Sequence, residues 1–545
     1  MPMYLKKIYR HFLKAKKIIV GTGFCILIYI ISSFKSEPTL GELLASQFKN
    51  EIYNNFDTLQ FNNILNRKID SLSPKFKHSN TIRNFYATNG FSTNLVVKFY
   101  GNQKLDSLVL FLSKSSEHGV NPEIFSTKEI DSLLKELKAN KYTNVNQSYA
   151  TLAKLELLTA NAYISYVSIL KFGLVDPRTI HTGYLISLKQ PDSLFVTNLL
   201  NSVNLTDTLQ DVQYKSDQYK ALQFAYLQNK NDSVRKILAV NMERLRWALP
   251  HTGEEFIQVN IPEFSLVYFN KKDTLTKMKV CVGAKIDNNY EEKYKIFEKS
   301  GDYDDKPKNH ETPMLFSYIN TLYANPVWNI PQSIASSEIY TMASRNRNYL
   351  TKNRISVYYR NKLIQNPNQI RWYKYSRDKL PFRFVQQAGE NNSLGKFKFS
   401  FKNDNSIFLH DTNNKKAFKL SNRAISHGCI RLEKPLKLAE LLVFDKEKYE
   451  KIRSEIGLAP LDSTKIAQFK GINLLSKPKP IEALQMAFTP KKPIPILITY
   501  FTAWEKNNKI EYRPDIYGMD IKLWAAMNNI LTPNKITVNV KNKKA

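Results

Sequence analysis

The chain has 545 residues, enough for two to four domains, and 43% of them are hydrophobic, enough to bury several cores. Eighty Lys and Arg against 48 Asp and Glu leave a formal charge of +32; the lysines are spread along the chain, so the excess points either to an anionic partner or to plain solvated surface. Cys25, Cys281 and Cys429 are too few for a disulfide framework, and neither zinc-finger spacing nor an RNA-binding aromatic signature points to nucleic acid.

Residues 1–17 carry Lys6, Lys7, Arg10, Lys14, Lys16 and Lys17 and no acid. The 17 residues from Ile18 to Phe34 then run without a charge. That length is short for a membrane span and long for a signal-peptide core. The basic flank predicts a cytoplasmic N-terminus, an uncleaved anchor over 18–34, and export of everything after it; a removed signal peptide is the alternative. The expected location is the inner membrane, single-pass, with the remainder in the periplasm.

Residues 35–250 read as helical. Leu105, Leu108, Val109, Leu110 and Leu112 give a helical face, and His118-Gly119-Val120-Asn121-Pro122 reads as a stop and turn. Tyr149 to Phe172 is apolar at helical spacing and ends at Gly173, and a further amphipathic helix is predicted over Val234–Leu249. The histidines here, His118 and His181 among them, are isolated, which favours structural or exposed roles.

The pattern changes at Glu255. Phe256–Asn260, Ser265–Phe269 and Lys277–Val282 are short alternating or apolar runs, predicted as antiparallel strands, with Cys281 a buried inert thiol. The charged stretch 287–309 reads as a loop. Residues 336–390 form a Tyr-, Asn- and Arg-rich insert with helical tendency. Strand alternation resumes at Leu394–Phe399, Pro435 opens a helix ending near Phe444, Ile494–Tyr500 reads as a late strand, and 536–545 is a basic tail.

Between these lies Ile407-Phe408-Leu409-His410-Asp411-Thr412, followed by Ser426-His427-Gly428-Cys429-Ile430-Arg431. A thiol and an imidazole brought together are the minimum for nucleophilic acyl transfer: the imidazole takes the thiol proton and returns it to a leaving amine. Gly428 lets backbone N–H groups beside Cys429 approach a carbonyl oxygen. His410, at the end of a strand, is preferred as base over His427, which stands only two residues from the thiol. A three-ligand metal site from His410, His427 and Cys429 lacks supporting spacing, and chance is the other competing explanation for so short a tripeptide.

His410, fifteen intervening residues and then Ser426-His427-Gly428-Cys429 resemble the signature of L,D-transpeptidases with a YkuD-type catalytic domain. His410-Asp411-Thr412 and Gly428-Cys429-Ile430-Arg431 are similar to the large YcbB-like branch. So are Asn260-Ile261-Pro262, Thr312-Pro313, Trp328-Asn329-Ile330-Pro331, the Gly389/Asn392/Leu394/Gly395 spacing, Thr502-Ala503-Trp504 and Asp515-Ile516-Tyr517-Gly518. His118-Gly119 and Gly173-Leu174-Val175-Asp176-Pro177 resemble its helical N-terminal domain. Two departures stand out: Tyr226 to Arg246 leaves no room for the small peptidoglycan-binding domain many members insert, and Ala388 stands where proline is usual.

The resemblance implies an α+β protein: a helical scaffold domain over 35–250, then a mostly β L,D-transpeptidase catalytic domain over 251–535, with 336–390 as a helical capping subdomain. It also implies a reaction without cofactor or metal. Cys429 would attack the carbonyl of the third-position diamino acid in a tetrapeptide stem, terminal D-alanine would leave, and a neighbouring stem's amine would resolve the thioester. His410 would be the base, His427 and Gly428 part of the oxyanion turn, and Ser426, Arg431, Trp328, Asn392 and Asp411 the substrate-binding set. The implied partners are peptidoglycan stem peptides and, as inhibitors, carbapenem-type lactams. An L,D-carboxypeptidase resolving the same thioester with water, and a non-catalytic wall-binding scaffold, are the alternatives.

Overall fold

The computed structural model describes residues 38–443, 445–462, 464 and 486–532. The predicted basic segment 1–17, the anchor 18–34, Cys25 and the basic tail lie outside the described residues. Among the described residues no helix is long and apolar enough to cross a membrane. The chain divides into two compact units. The first holds the described residues up to Ser113, Phe125–Tyr166 and Asp192–Gln210; the second holds Lys114–Ile124, Val167–Pro191 and the described residues from Asp211 on.

The first unit is helical, for local reasons. Thr39 and Glu42 close a capping box on the helix Leu40–Phe48, and Asp57 and Asp192 cap the helices Thr58–Leu72 and Ser193–Asn201 by accepting from backbone N–H groups. Phe61, Leu65 and Ile69, spaced four apart, are buried, and so are Leu105, Leu108 and Leu112, spaced three and four apart, in the helix Lys104–Ser113. Glu156 is fully buried at the centre of this unit. Its carboxylate accepts from the hydroxyls of Tyr86 and Thr93 and the N–H groups of Asn94, Leu95 and Val96, all within 2.9 Å. It thereby satisfies the free donors that open the short helix Leu95–Phe99. The predicted helix Tyr149–Phe172 is observed with those bounds and ends at Gly173 with φ +90°.

The second unit is built on strands. β1 (Glu255–Asn260), β2 (Ser265–Asn270) and β3 (Asp273–Gly283) form the predicted antiparallel meander. β4 (Phe316–Ala324) follows, then β5 (Trp328–Ile330), β6 (Ile355–Tyr359), β7 (Lys362–Leu363) and β8 (Phe382–Gln386). β9 (Phe397–Phe401), β10 (Phe408–His410), β11 (Ala424–Ser426) and β12 (Ile430–Leu432) carry the motif region. β13 (Met486–Phe488), β14 (Ile494–Thr499), β15 (Ala503–Lys506) and β16 (Lys509–Tyr512) complete the set. The pairings β3-β12-β10-β9-β4-β14-β1-β2 return to β3, so these eight strands close on themselves; β11 adds to β3 and β13 to β4. Closure removes the free edges an open sheet would expose. Val259, Leu266, Val280, Leu322, Phe399, Leu409, Ile430 and Ile496 are all fully buried, each stabilising the fold by roughly 1.5–3 kcal/mol relative to an exposed side chain.

Two predicted elements differ. Within the expected loop 287–309 a helix runs Tyr290–Ser300, because Glu291 and Glu292 fall in its first turn, Lys299 in its last, and Gly301 caps it at φ +63°. It buries no residue, so no apolar stripe announced it. The insert expected as a helical cap is instead a small mixed unit: β5-β8-β6-β7 form a four-stranded sheet, joined by short helical pieces. The runs Ile355-Ser356-Val357-Tyr358-Tyr359 and Phe382-Arg383-Phe384-Val385 supply β-branched and aromatic residues at strand spacing, and Trp372, Phe382 and Phe384 pack together in its core.

Candidate active site

Register brings the motif residues together. β10 pairs with β12 in parallel, Leu409 opposite Ile430 and His410 opposite Arg431. On its other edge β10 pairs with β9, placing His410 opposite Lys398 and Leu409 opposite Phe399. Side chains alternate faces along a strand, so Leu409, Ile430 and Phe399 share the buried face while His410, Arg431 and Lys398 share the other. Cys429 stands in the turn immediately before β12, two positions ahead of Arg431, with its sulfur near Lys398, Arg431 and the Phe408 N–H.

His410 is buried, and its Nδ1 lies 2.5 Å from the carbonyl oxygen of Asp411. That carbonyl can only accept, so Nδ1 carries the proton and Nε2 keeps its lone pair. Burial, then the Arg431 guanidinium, pushes the imidazole down to about 3; it is neutral at any physiological pH. The Cys429 thiol is packed among protein atoms yet keeps a solvent-accessible edge. Its Sγ sits 3.8 Å from the Ser406 carbonyl. Burial pushes the thiol up to about 11, while the Phe408 N–H, Lys398 and Arg431 act in the opposite direction. The resting pair is therefore a thiol and a neutral imidazole. An imidazole with its proton on Nδ1 can accept a further proton at Nε2.

The turn that presents the thiol is fixed by hydrogen bonds. Ser426 Oγ donates to the Cys429 carbonyl at 2.6 Å and accepts from Gly428 N–H at 3.2 Å. Gly428 has φ +112°, a conformation that favours glycine. Thr312 Oγ1 donates to the Gly428 carbonyl at 2.7 Å and accepts from Gly283 N–H at 2.8 Å, and Tyr517 Oη donates to the Gly283 carbonyl at 2.6 Å. The Thr312-Pro313 and Tyr517-Gly518 motifs thus meet beneath this turn. His427 points elsewhere: its Nε2 lies 2.7 Å from Glu338 Oε1, and its ring packs edge-on to His310 at 4.5 Å. Glu338 belongs to the insert, so the insert is tied to the residue two places before the thiol.

The other sequence-predicted residues lie as follows. Trp328, on β5 opposite Gln386, packs partly buried against the insert's core. Asn392 is buried; its amide donates to the carbonyls of Pro326 and Gln387, and its oxygen accepts from Leu394 N–H. Asp411 is buried, with its carboxylate held by Lys396 N–H, Thr412 N–H and the Lys415 ammonium. Asn392 and Asp411 therefore have their polar atoms engaged within the protein. A cavity of about 650 Å³ lined by Lys396, Asp411, Thr412, Glu440 and Tyr449 contains neither His410 nor Cys429. Among the described residues no cluster of His, Cys, Asp and Glu is arranged to hold a metal ion, and Cys281 is fully buried in β3.

Lys398, Glu338 and His310 were not picked out by sequence. Lys398 lies within a plain alternating run, and only the antiparallel register sets it beside His410. Glu338 and His310 reach His427 from segments far away in the chain.

Two consequences can be measured. Gly395 has φ +58°, and a Cβ there would lie 2.5 Å from the Asp411 carboxylate. Gly395→Ala should cost about 2–4 kcal/mol by strain and displacement of that carboxylate, read as a lower denaturant midpoint. Acid should also weaken the fold. His410 is held at about 3, and burial first of all holds His118 and His181 at about 4, against an ordinary value of 6.5. Each binds its proton less readily folded than unfolded, so stability is complete above pH 6.5 and is lost as pH falls from there toward 3. The urea midpoint should stay level from pH 8 to 6.5 and drop steadily below; a level midpoint down to pH 4 would contradict this.

A thiol and a neutral imidazole at the strand ends of a closed β sheet, beside a turn locked by three hydroxyls, define a site suited to acyl transfer. Residues 254–453 match the family model described as the L,D-transpeptidase catalytic domain, YkuD, and residues 80–225 match a model described as a scaffold domain. The segment that carries His410 and Cys429 is thus a YkuD-type L,D-transpeptidase catalytic domain. It is similar to a protein of Haemophilus influenzae named "Putative L,D-transpeptidase", 27% identical over 410 residues that cover 71% of this chain and 73% of the relative.

Proposed function

We propose that this protein is a peptidoglycan L,D-transpeptidase that joins third-position diamino acids of neighbouring stem peptides. The observation that supports the reading is the β9-β10-β12 register together with the turn ahead of β12, which brings a partly exposed cysteine to the strand ends beside a buried imidazole whose Nδ1 is engaged by the Asp411 carbonyl. Cys429 attacks the carbonyl of the donor's third residue as Nε2 of His410 takes the thiol proton. The tetrahedral oxyanion is met by N–H groups of the His427-Gly428-Cys429 turn. The C–N bond then breaks, His410 passes its proton to the departing D-alanine amine, and a thioester remains. The side-chain amine of a second stem attacks that thioester, His410 takes the amine's proton, and sulfur leaves and is reprotonated.

In this reading Ser426 shapes the turn and Arg431 faces the substrate beside His410. Glu338 positions His427, and with it the turn. The 18–34 segment anchors the protein and the remainder works outside the cytoplasmic membrane, where its substrate lies. The test is to incubate the exported portion with purified disaccharide-tetrapeptide and follow masses. Loss of D-alanine with dimer formation supports the transpeptidase; loss without dimers assigns the carboxypeptidase, in which water resolves the thioester. No mass change with a folded protein sinks both. A carbapenem-type lactam should add its mass to the wild type and not to Cys429→Ala.

A further inference from the structure

Lys398 stands out among the lysines of the chain. It is directly opposite His410 in the β9–β10 ladder, as Arg431 is in the β10–β12 ladder, so a row of Lys398, His410 and Arg431 crosses three strands near Cys429. The flanking side chains are an ammonium and a guanidinium, and the imidazole between them is neutral. Among the described residues neither cation has a carboxylate partner, although acids nearby are well supplied with lysines: Asp411 holds Lys415 and Glu390 holds Lys396. The Lys398 ammonium is instead laid over the Phe408 ring at 4.5 Å and the Tyr323 ring at 5.7 Å. Half-buried ammonium groups are costly without an anion, and aromatic faces compensate only in part. Burial lowers the amine and the nearby Cys429 sulfur acts against that. The cation row therefore lacks one negative charge, next to the thiol.

We propose that Lys398 supplies recognition of the donor stem by taking its free C-terminal carboxylate. This rests on the transpeptidase reading and adds its substrate selection. In a tetrapeptide donor the D-alanine carboxylate lies one residue beyond the carbonyl that Cys429 attacks, so a carbonyl seated on the sulfur leaves its carboxylate close by. The carboxylate departs with D-alanine, so Lys398 acts in forming the thioester and not in its resolution. A donor that continues past the fourth residue, or ends in an amide, offers no charge to the row.

The experiment compares a tetrapeptide donor with the same peptide carrying a C-terminal amide, for wild type, Lys398→Met and Lys398→Arg. Thioester formation is followed by protein mass, and resolution by adding acceptor to preformed thioester. The wild type should acylate at least about tenfold faster from the acid, the discrimination expected of one charge-assisted contact. K398M should lose about that factor on the acid and change less than about twofold on the amide, so that discrimination disappears, while K398R keeps most of it. Resolution should be unchanged in both variants. Equal use of the two donors by the wild type would overturn the proposal. So would a K398M that slows both donors alike, the outcome expected if the lysine served the sulfur or the fold. A wild type that acylates from neither donor would instead remove the transpeptidase reading on which the proposal stands. If K398M does not fold, Lys398→Gln takes its place, and the wild-type comparison alone retains the power to refute.

Discussion

Replacing Cys429 by alanine should reduce release of D-alanine from a tetrapeptide by a factor of about 10⁴ or more, since the covalent route is removed entirely. His410→Ala should cost about 10²–10⁴, the usual worth of a positioned proton carrier. The two effects should not add, because in the proposed mechanism base and nucleophile act in one step. Stability should separate the variants in the opposite order. The sulfur keeps a solvent-accessible edge, and truncating it leaves its neighbours in place. His410 is buried between Arg431 and Lys398 and anchored to the Asp411 carbonyl, so removing it opens a space beside two cations. A Cys429→Ala protein with a wild-type denaturant midpoint and retained D-alanine release would exclude Cys429 as the nucleophile.

The form of the pH profile follows from the same geometry. With the imidazole at about 3 and the thiol at about 11 in the empty site, no thiolate–imidazolium pair is stored before substrate arrives. Thioester formation should stay level across pH 6–9, with no ascending limb near 6.5. An ascending limb within that range would mean that a group other than His410 carries the proton.

How much of this was legible in sequence depends on how local each feature is. The helix Tyr149–Phe172 and the strands β1 to β3 are encoded by period and turn residues, and they lie where the pattern puts them. His410 and Cys429 were legible as a pair because one strand and one turn carry them within 19 positions. The helix Tyr290–Ser300 was missed because it is stabilised by end charges and a glycine cap and buries nothing. The insert's sheet was missed because its strands are two to five residues long and separated by polar turns. Asn392 stood in a motif that resembled a binding residue, yet its side chain makes four hydrogen bonds to backbone groups around a turn. A motif residue kept for a turn and one kept for a ligand look alike in one dimension. Lys398 is the opposite case, an unmarked residue that pairing across strands places beside His410.

The largest effect on stability should come from Glu243→Gln, far from the thiol in sequence. Glu243 and Arg246 are fully buried in the helix Asp232–Arg246. Glu243 Oε2 accepts from Arg246 at 3.0 and 2.7 Å, and Oε1 accepts from the N–H groups of Leu174 and Val175 at 2.6 and 2.9 Å. Arg246 also donates to the His118 carbonyl and the Tyr219 hydroxyl. One ion pair thus holds both the His118-Gly119 turn and the Gly173-Leu174-Val175 turn, which in sequence were separate motifs without a partner. Spaced three apart on an amphipathic helix, the pair reads as an ordinary surface contact. Glutamine keeps the shape but turns an NH₂ group toward donors and leaves a guanidinium buried without its counter-charge. The expected loss is about 3–5 kcal/mol, read from urea midpoints. Glu243→Leu with Arg246→Met should recover part of it, because removing both charges removes the uncompensated one. If the double variant is as unstable as the sum of its singles, the coupling assigned to this pair is absent. If it recovers, the same protein should still acylate from tetrapeptide, since neither side chain touches the β9-β10-β12 face.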